Sequence, residues 1–487
     1  MNTTLIAFVV LYLLVTLAIG VWAGSRVKNT ADFAVAGRSL PLIMVVTTTF
    51  ATWFGAETVM GIPAKFVQGG LNAIVEDPFG AGMCLILVGL FFAAKLYQKN
   101  LLTIGDYYRQ RYGKGVEIFC SLAIIMSYLG WVAAQITALG LVFAVLTNGA
   151  MSPATGMVIG TLAVLIYVVI GGFMAVAWTD FIQMIVLVVG LSAIAWFAAD
   201  LAGGAGVVLD LAAQKELWNF LPAPSFHDIV FFFAAAITMM LGSIPQQDVF
   251  QRVMSAKDAK TAQKGAVIGG VSYILFAFVP MFIVLAAVAV MGSSAMELAQ
   301  NDYQRVLPAF IMGHMPLFMQ ILFFGALLSA IKSTSSATLL APSTSFVENI
   351  LKQIRPGMSD KQQLLAMRVT IVVFAACVLI YAIAMQGTPI YELVSAAYQV
   401  TLVGAFVPLV MGLYWKRAST QGAIFSIFAG IFTWVLFFPQ VTTWGEVFPG
   451  QLAGLIAALT GMVLGSLLPQ WLASRHDHVS HHLPPHP

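Results

Sequence analysis

Between Ser329 and Ser345 the chain reads SAIKSTSSATLLAPSTS, with four consecutive hydroxyl side chains at Ser333, Thr334, Ser335 and Ser336. Neutral oxygens of this kind, together with carbonyls freed from a helix, suit a hard, weakly held monovalent cation, whereas carboxylate cages suit divalent ions. Hydroxyls in apolar helices also act as interhelical glue. Two other stretches could supply the freed carbonyls. TTTFATWFGAETVMG carries Gly55 between Phe54 and Ala56 and a charged Glu57, and MMLGSIPQQDVFQRV carries Gly242, Ser243 and Pro245. Proline removes a backbone donor and clashes with the preceding turn. Unwound backbone at membrane depth is tolerated only where protein or a polar cavity satisfies it.

The elements that position these residues follow from composition. Of 487 residues, 60% are hydrophobic and 9% charged, against about 25% charged in a soluble domain. A soluble globular protein, a disordered chain and a nucleic-acid binder are excluded. The net charge of +3 names no partner. Cys84, Cys120 and Cys377 sit in apolar runs and imply no disulfide framework. A crossing helix needs roughly 20 apolar residues. Thirteen such runs begin near Leu5, Leu40, Asn72, Val116, Thr155, Ala175, Asp228, Gly265, Pro316, Gln363, Ile390, Gln421 and Gln451. The first lacks a basic start and is read as a retained span rather than a signal peptide.

Basic residues support this count. With the amino terminus outside, nineteen of the 23 Lys and Arg fall in the cytoplasmic loops or flanking helix ends, Arg252 among them. Lys65, Lys215 and Arg305 lie on the other side, and Lys332 lies within a span. The bias predicts an outer amino terminus and a cytoplasmic carboxyl terminus. The tail HDHVSHHLPPHP is read as a cytosolic segment rather than a metal site. The two interrupted spans are the second and the seventh, each opening a five-helix unit. Interruptions at corresponding places in two halves point to an inverted-repeat transporter with a midplane site.

Several stretches resemble the sodium/solute symporter family from about Phe33 to Lys416: GRSLP, ATWFGAET, LTIGDYYRQRYGK, GGFMAVAWTDFIQ, IPQQDVFQRVMSAKDAKTAQKGA and the hydroxyl-rich ninth span. Within that family, PFGAGMCLILVGLFFAAK and the IPQQDVFQRV stretch resemble the high-affinity choline transporter group most. The resemblance implies an all-α integral membrane protein of 13 transmembrane helices. Its LeuT-like inverted repeat would have five plus five helices, with one extra helix before and two after. The expected divisions are 1–38 (first helix and cytoplasmic loop), 39–199 (first repeat), 200–227 (outer loop), 228–414 (second repeat), 415–473 (two peripheral helices) and 474–487 (tail).

The resemblance also implies a sodium site. Backbone carbonyls of Ala51, Phe54 and Ala330 and the hydroxyls of Ser333 and Thr334 would hold the ion. Some members have a second sodium site near an acidic residue of the sixth span. Here that residue is Asp180, with Ser336 as partner, but Ala337 replaces a second Ser, and a helix–helix hydrogen-bond acceptor is the alternative role for Asp180. Lys332 stands where the family has an apolar residue. An ammonium at the helix centre costs about 2.5–3.5 kcal/mol on insertion scales, so a partner or a function is expected. Helical spacing turns Lys332 away from Thr334 and towards Ser336. It is expected to pair with Asp180 and replace the second ion; a neutral, proton-releasing lysine and snorkelling are the alternatives.

Solute contacts are expected from Trp53, Glu57, Trp131, Gln135, Gln246, Gln247, Tyr398 and Gln399. Trp53 and Trp131 match aromatic positions of the choline group. Gln246 and Ala81 replace two others, so choline itself is not favoured. The expected function is sodium-coupled symport of a small polar solute of amine, amino-acid or carboxylate type in the plasma membrane. The alternatives are sodium-independent or proton-coupled exchange using Lys332 and, in another class, a membrane solute sensor. No HExxH helix, GxSxG elbow or phosphate loop points to an enzyme.

Overall fold

The computed structural model describes residues 3–438 and 440–472. Apart from one isolated bridge, Leu40 to Ala256, its regular structure is helical among the described residues. Long apolar runs take this form because a helix satisfies its backbone donors and acceptors within one segment. Among the described residues, nine helices are long and apolar enough to cross a membrane. Two bent pairs raise the number to eleven when each pair counts as one span.

In chain order the bundle helices are α1 (Thr3–Gly24), the bent pair α2 (Leu42–Trp53) and α3 (Glu57–Ala73), α4 (Val75–Tyr97), α5 (Lys114–Leu146), and α6 (153–171) and α7 (173–201), the two arms of the helix Pro153–Leu201 that meet at Gly172. There follow the bent pair α8 (Phe226–Gly242) and α9 (Gln247–Ser255), then α10 (Ala259–Met291), α11 (Leu317–Ile354), α12 (Asp360–Ala384), α13 (Ile390–Tyr414), α14 (Thr420–Leu436) and α15 (Gly450–Leu467). Of the thirteen expected spans, this count supports up to eleven. Helix α6 occupies the fifth expected position, and α14, with 17 residues, occupies the twelfth but falls in a shorter class. At about 1.5 Å per residue, α14 is at the short end of what a roughly 30 Å hydrocarbon core requires. The direction of the chain changes after α6 at Gly172, whose φ of +52° an L side chain resists. A Cβ there would also lie 2.5 Å from Phe33.

The two expected interruptions are present. Helices α2 and α3 bend by 58° around Phe54 and Gly55, and α8 and α9 by 46° around Ser243 to Gln246. Side chains take up freed backbone groups at both. Gln135 Oε1 accepts from the Ala56 N–H at 2.9 Å, and Thr401 Oγ1 donates to the Gly242 carbonyl at 2.6 Å. Helix α11 runs through the centre, and every residue from Ala326 to Ser345 is buried. A helix enclosed on all sides needs no polar face, which explains why its hydroxyls can sit at any position around it. It packs against α5, α6–α7 and α12, while α1 lies against α7 and touches α11. Helices α14 and α15 pack on each other at the edge.

Candidate ion and solute site

The hydroxyl-rich part of α11 meets the break between α2 and α3. Thr334 Oγ1 donates to the Thr52 carbonyl at 2.7 Å, and Ser333 Oγ donates to Asp180 Oδ1 at 2.6 Å. Thr48 Oγ1 donates to the other oxygen of Asp180, also at 2.6 Å. A hydroxyl that gives its proton to a carbonyl or carboxylate keeps its oxygen lone pairs for a cation. Ala51 and Phe54 flank Thr52 and are buried, as is Ala330, one turn before Thr334. The residues expected around one ion thus lie on two elements that touch.

The second-ion expectation is rearranged. Ser336 Oγ donates within its own helix to the Ser333 carbonyl at 2.8 Å, so Asp180 takes Ser333 and not Ser336 as its α11 partner. Lys332 does not form the expected pair with Asp180. Its ammonium donates to Thr16 Oγ1 on α1. The reason is rotational: Ser333 turns towards α7, and Lys332, one residue earlier, turns towards α1.

Across the break lies an aromatic cluster. Trp53 and Trp131 stand edge to face with centroids 6.1 Å apart, and Tyr398 lies 6.2 Å from Trp53 and 5.4 Å from Trp131. Tyr128 stacks on Trp131 at 6.0 Å. The Tyr398 hydroxyl is buried and has no hydrogen-bond partner among the described residues. Glu57 closes one side, accepting from Gln135 Nε2 at 2.6 Å and Trp131 Nε1 at 3.2 Å. Asp248 closes another, accepting from the Tyr128 hydroxyl at 2.5 Å and Trp53 Nε1 at 3.2 Å.

Of the expected solute residues, Trp53, Glu57, Trp131, Gln135 and Tyr398 are brought together. Gln246 adjoins them through α5 and α13, donating to Ser127 at 2.9 Å and to Thr401 at 3.4 Å. Gln247 and Gln399 point elsewhere. Gln247 Oε1 accepts from the Ile104 N–H at 2.9 Å, and Gln399 accepts from Trp434 Nε1 at 2.9 Å and lines an outer cavity. In each case the neighbouring residue already occupies the cage-facing side, and adjacent helical positions differ by about 100°.

Sequence reasoning passed over Asp248, Tyr128, Tyr273 and Asp77, and it counted Arg252 as a cytoplasmic flanking charge. Arg252 is only 2% exposed and donates to the Asp248 carbonyl at 2.7 Å and to Thr52 Oγ1. Tyr273 donates to Asp77 Oδ1 at 2.6 Å and contacts Thr58 at 3.0 Å. The available signal was charge itself: ionisable residues inside a span are costly and default to functional sites.

A cavity of about 710 Å³, lined by Lys65, Glu76, Tyr391 and Ser395, opens at the start of α4. Another, of about 700 Å³ and lined by Asp106, Arg109, Glu348 and Lys352, lies beyond the other end of α4. No group of three or more His, Cys, Asp or Glu suited to a metal occurs among the described residues, and the histidine-rich tail lies outside them.

The sodium:solute symporter family model matches residues 33–430. The chain belongs to this family. It is 29% identical over 448 residues to high affinity choline transporter 1 of Homo sapiens, covering 88% of this chain and 75% of that protein. It is 28% identical over 436 residues to the high-affinity proline transporter PutP of Bacillus subtilis, covering 86% and 89%. Its fold matches a substrate-bound, outward-open Na⁺-coupled sialic acid symporter with a TM-score of 0.83 at 21% identity, covering 95% of this chain and 97% of the other. The structural neighbours are LeuT-fold transporters. This family member is a multi-pass sodium-coupled transporter rather than an enzyme, and Na⁺ is the co-transported ion.

Proposed function

We propose that this symporter carries a small organic solute bearing a positively charged nitrogen. The observation that supports this reading is the cluster of Trp53, Trp131, Tyr128 and Tyr398 set between the carboxyl groups of Glu57 and Asp248. Aromatic faces attract a desolvated cation by about 0.5–2 kcal/mol each, and carboxylates add to that attraction. A solute recognised through a carboxylate would meet the same sign of charge. The names of the choline-transporter relatives agree with the cationic class. Gln246 and Ala81 distinguish this cage from theirs, so an amine other than choline fits the reading equally.

The sodium ion is assigned to the carbonyls of Ala51, Phe54 and Ala330 and the hydroxyls of Ser333 and Thr334. We take 39–199 and 228–414 as the inverted repeats, with thirteen crossings that include the short α14. The amino terminus is outside and the carboxyl terminus cytoplasmic, in agreement with the basic-residue bias. Alternating access would connect the cage first to the 710 Å³ cavity and then to the 700 Å³ one. The turn of Lys332 towards α1 favours sodium coupling over exchange through that lysine.

The test is uptake into proteoliposomes of amine, amino-acid and carboxylate solutes, with and without an inward sodium gradient. Sodium-driven accumulation of quaternary or primary amines is the expected result. Accumulation of simple carboxylates alone would overturn the solute class. Accumulation that follows pH and ignores sodium would overturn the ion assignment, and binding without uptake would indicate a sensor.

A further inference from the structure

One buried side chain touches both halves of this site. Arg252 lies on α9, with its guanidinium 5.2 Å from the centre of the Phe173 ring on the α7 side. Towards the solute cage it holds the Asp248 carbonyl at 2.7 Å, and the Asp248 carboxylate in turn holds Trp53 and Tyr128. Towards the ion it donates to Thr52 Oγ1, while the carbonyl of the same Thr52 accepts from Thr334. Its charge also lies in the field of Asp180, which accepts from Ser333. Thr52 thus presents its hydroxyl to the arginine and its carbonyl to the ion-side threonine.

The charge arrangement is uneven. The charges of two carboxyl groups, Asp180 and Asp248, act on one guanidinium, whose hydrogen bonds go to the Asp248 carbonyl and Thr52 Oγ1. Buried charge is stable only when paired and hydrogen-bonded. A monovalent cation at Ser333 and Thr334 would supply the second positive charge and fix the orientations of Asp180 and Thr52. Arg252 would then be held from both sides, and through Asp248 so would the rings of Trp53 and Tyr128. A cage ordered in advance binds its solute at a lower entropic cost.

We propose that Arg252 is the positioning residue that couples sodium to solute, by transmitting ion occupancy at α11 to the aromatic cage through Thr52 and Asp248. The cage half of this chain rests on the cationic-solute reading above; the ion-to-ring half does not. The coupling is reciprocal by linkage and falls in the usual range of 5–150-fold.

The experiment uses the purified full-length protein in nanodiscs, with tetramethylammonium as the probe. Its dissociation constant is measured by tryptophan fluorescence in sodium chloride and in potassium chloride of equal ionic strength. Separately, sodium alone is titrated against the same fluorescence, and radioactive sodium binding gives the ion affinity. In the wild type we expect sodium to tighten probe binding about tenfold and to change the fluorescence without any probe. Arg252→Lys keeps the charge but lacks the fork that spans two acceptors, so the sodium-to-potassium ratio should fall towards one. Thr52→Val removes only the hydroxyl contact and should act in the same direction, which protects the test against a poorly folded Arg252 variant; Thr52→Ser should restore the ratio. Retention of the wild-type ratio and fluorescence response in both Arg252→Lys and Thr52→Val would overturn the proposal. If the wild type does not bind tetramethylammonium in either salt, the cationic-solute reading fails, and the sodium-only fluorescence arm still decides the coupling. There, loss of response in the variants with sodium binding intact supports the role of Arg252, and an unchanged response refutes it.

Discussion

Thr334 and Thr52 join the two elements on which ion binding depends. The Thr334 hydroxyl, on the buried central helix, donates at 2.7 Å to the Thr52 carbonyl at the end of the broken second span. A side-chain donor therefore reaches the interrupted helix two residues before Phe54, where regular backbone geometry ends. The contact closes the gap while leaving hydroxyl lone pairs for a cation.

Thr334→Ala and Ser333→Ala should each raise the sodium concentration for half-maximal uptake. Loss of one neutral ligand or hydrogen bond is worth about 1 kcal/mol, or about fivefold. The double variant should lose sodium stimulation altogether. Uptake measured against a sodium series checks this, and unchanged half-saturation in both single variants would place the ion elsewhere.

Gly55→Ala should abolish transport while leaving the protein in the membrane. A Cβ at residue 55 would lie 2.6 Å from Glu57 Oε2, 2.7 Å from Thr334 Oγ1 and 2.9 Å from Gln135 Oε1. These atoms belong to both the ion side and the solute side, so one methyl group disturbs the two together. Uptake should fall by more than about tenfold, the scale of a 1–3 kcal/mol overpacking cost. Normal uptake with normal surface expression would mean that the break at Phe54 opens wider than this geometry.

Glu57→Gln isolates the role of negative charge in the cage. Both Glu57 oxygens accept hydrogen bonds, one from Trp131 and one from Gln135. A glutamine can accept at only one of its two terminal atoms and faces a donor with the other. Affinity for a cationic solute should fall at least about tenfold, since charged hydrogen bonds contribute about 1.5–3 kcal/mol. Trp131→Phe keeps an aromatic face and removes only the indole donor, so its effect should be smaller. Equal loss in both variants would point to packing rather than charge.

The helical breaks and the hydroxyl cluster were legible because their signals are local. Gly55, Pro245 and the run from Ser333 to Ser336 announce themselves within a few residues. Pairings across the bundle were not legible. Asp180 meets Thr48 and Ser333, and Arg252 meets Thr52, through contacts set by how remote helices rotate against each other. Adjacent candidates exposed the same weakness. Tyr398 and Gln399 cannot both face one cage, and only packing decides which does. The short helix α14 shows that hydropathy marks where apolar runs lie better than how far each continues as a helix.

Lys332→Met tests the residue that departs most visibly from an apolar span. Its ammonium donates to Thr16 Oγ1, and nearby the Tyr12 hydroxyl meets Ser329, so this corner fastens α1 to α11. Thr16 also donates to the Leu13 carbonyl at 3.0 Å, and it keeps that bond when the lysine is replaced. Methionine is close to the stem in length and removes an ammonium whose place at a helix centre costs about 2.5–3.5 kcal/mol on insertion scales. The variant should therefore retain the wild-type ratio of sodium to solute and an unshifted pH profile, with a thermal midpoint in detergent no lower than that of the wild type. Tyr12→Phe, which cuts the neighbouring contact without touching charge, should loosen α1 and raise its protease sensitivity. A changed ion ratio or loss of sodium dependence in Lys332→Met would return the lysine to the transport mechanism and favour exchange through its proton.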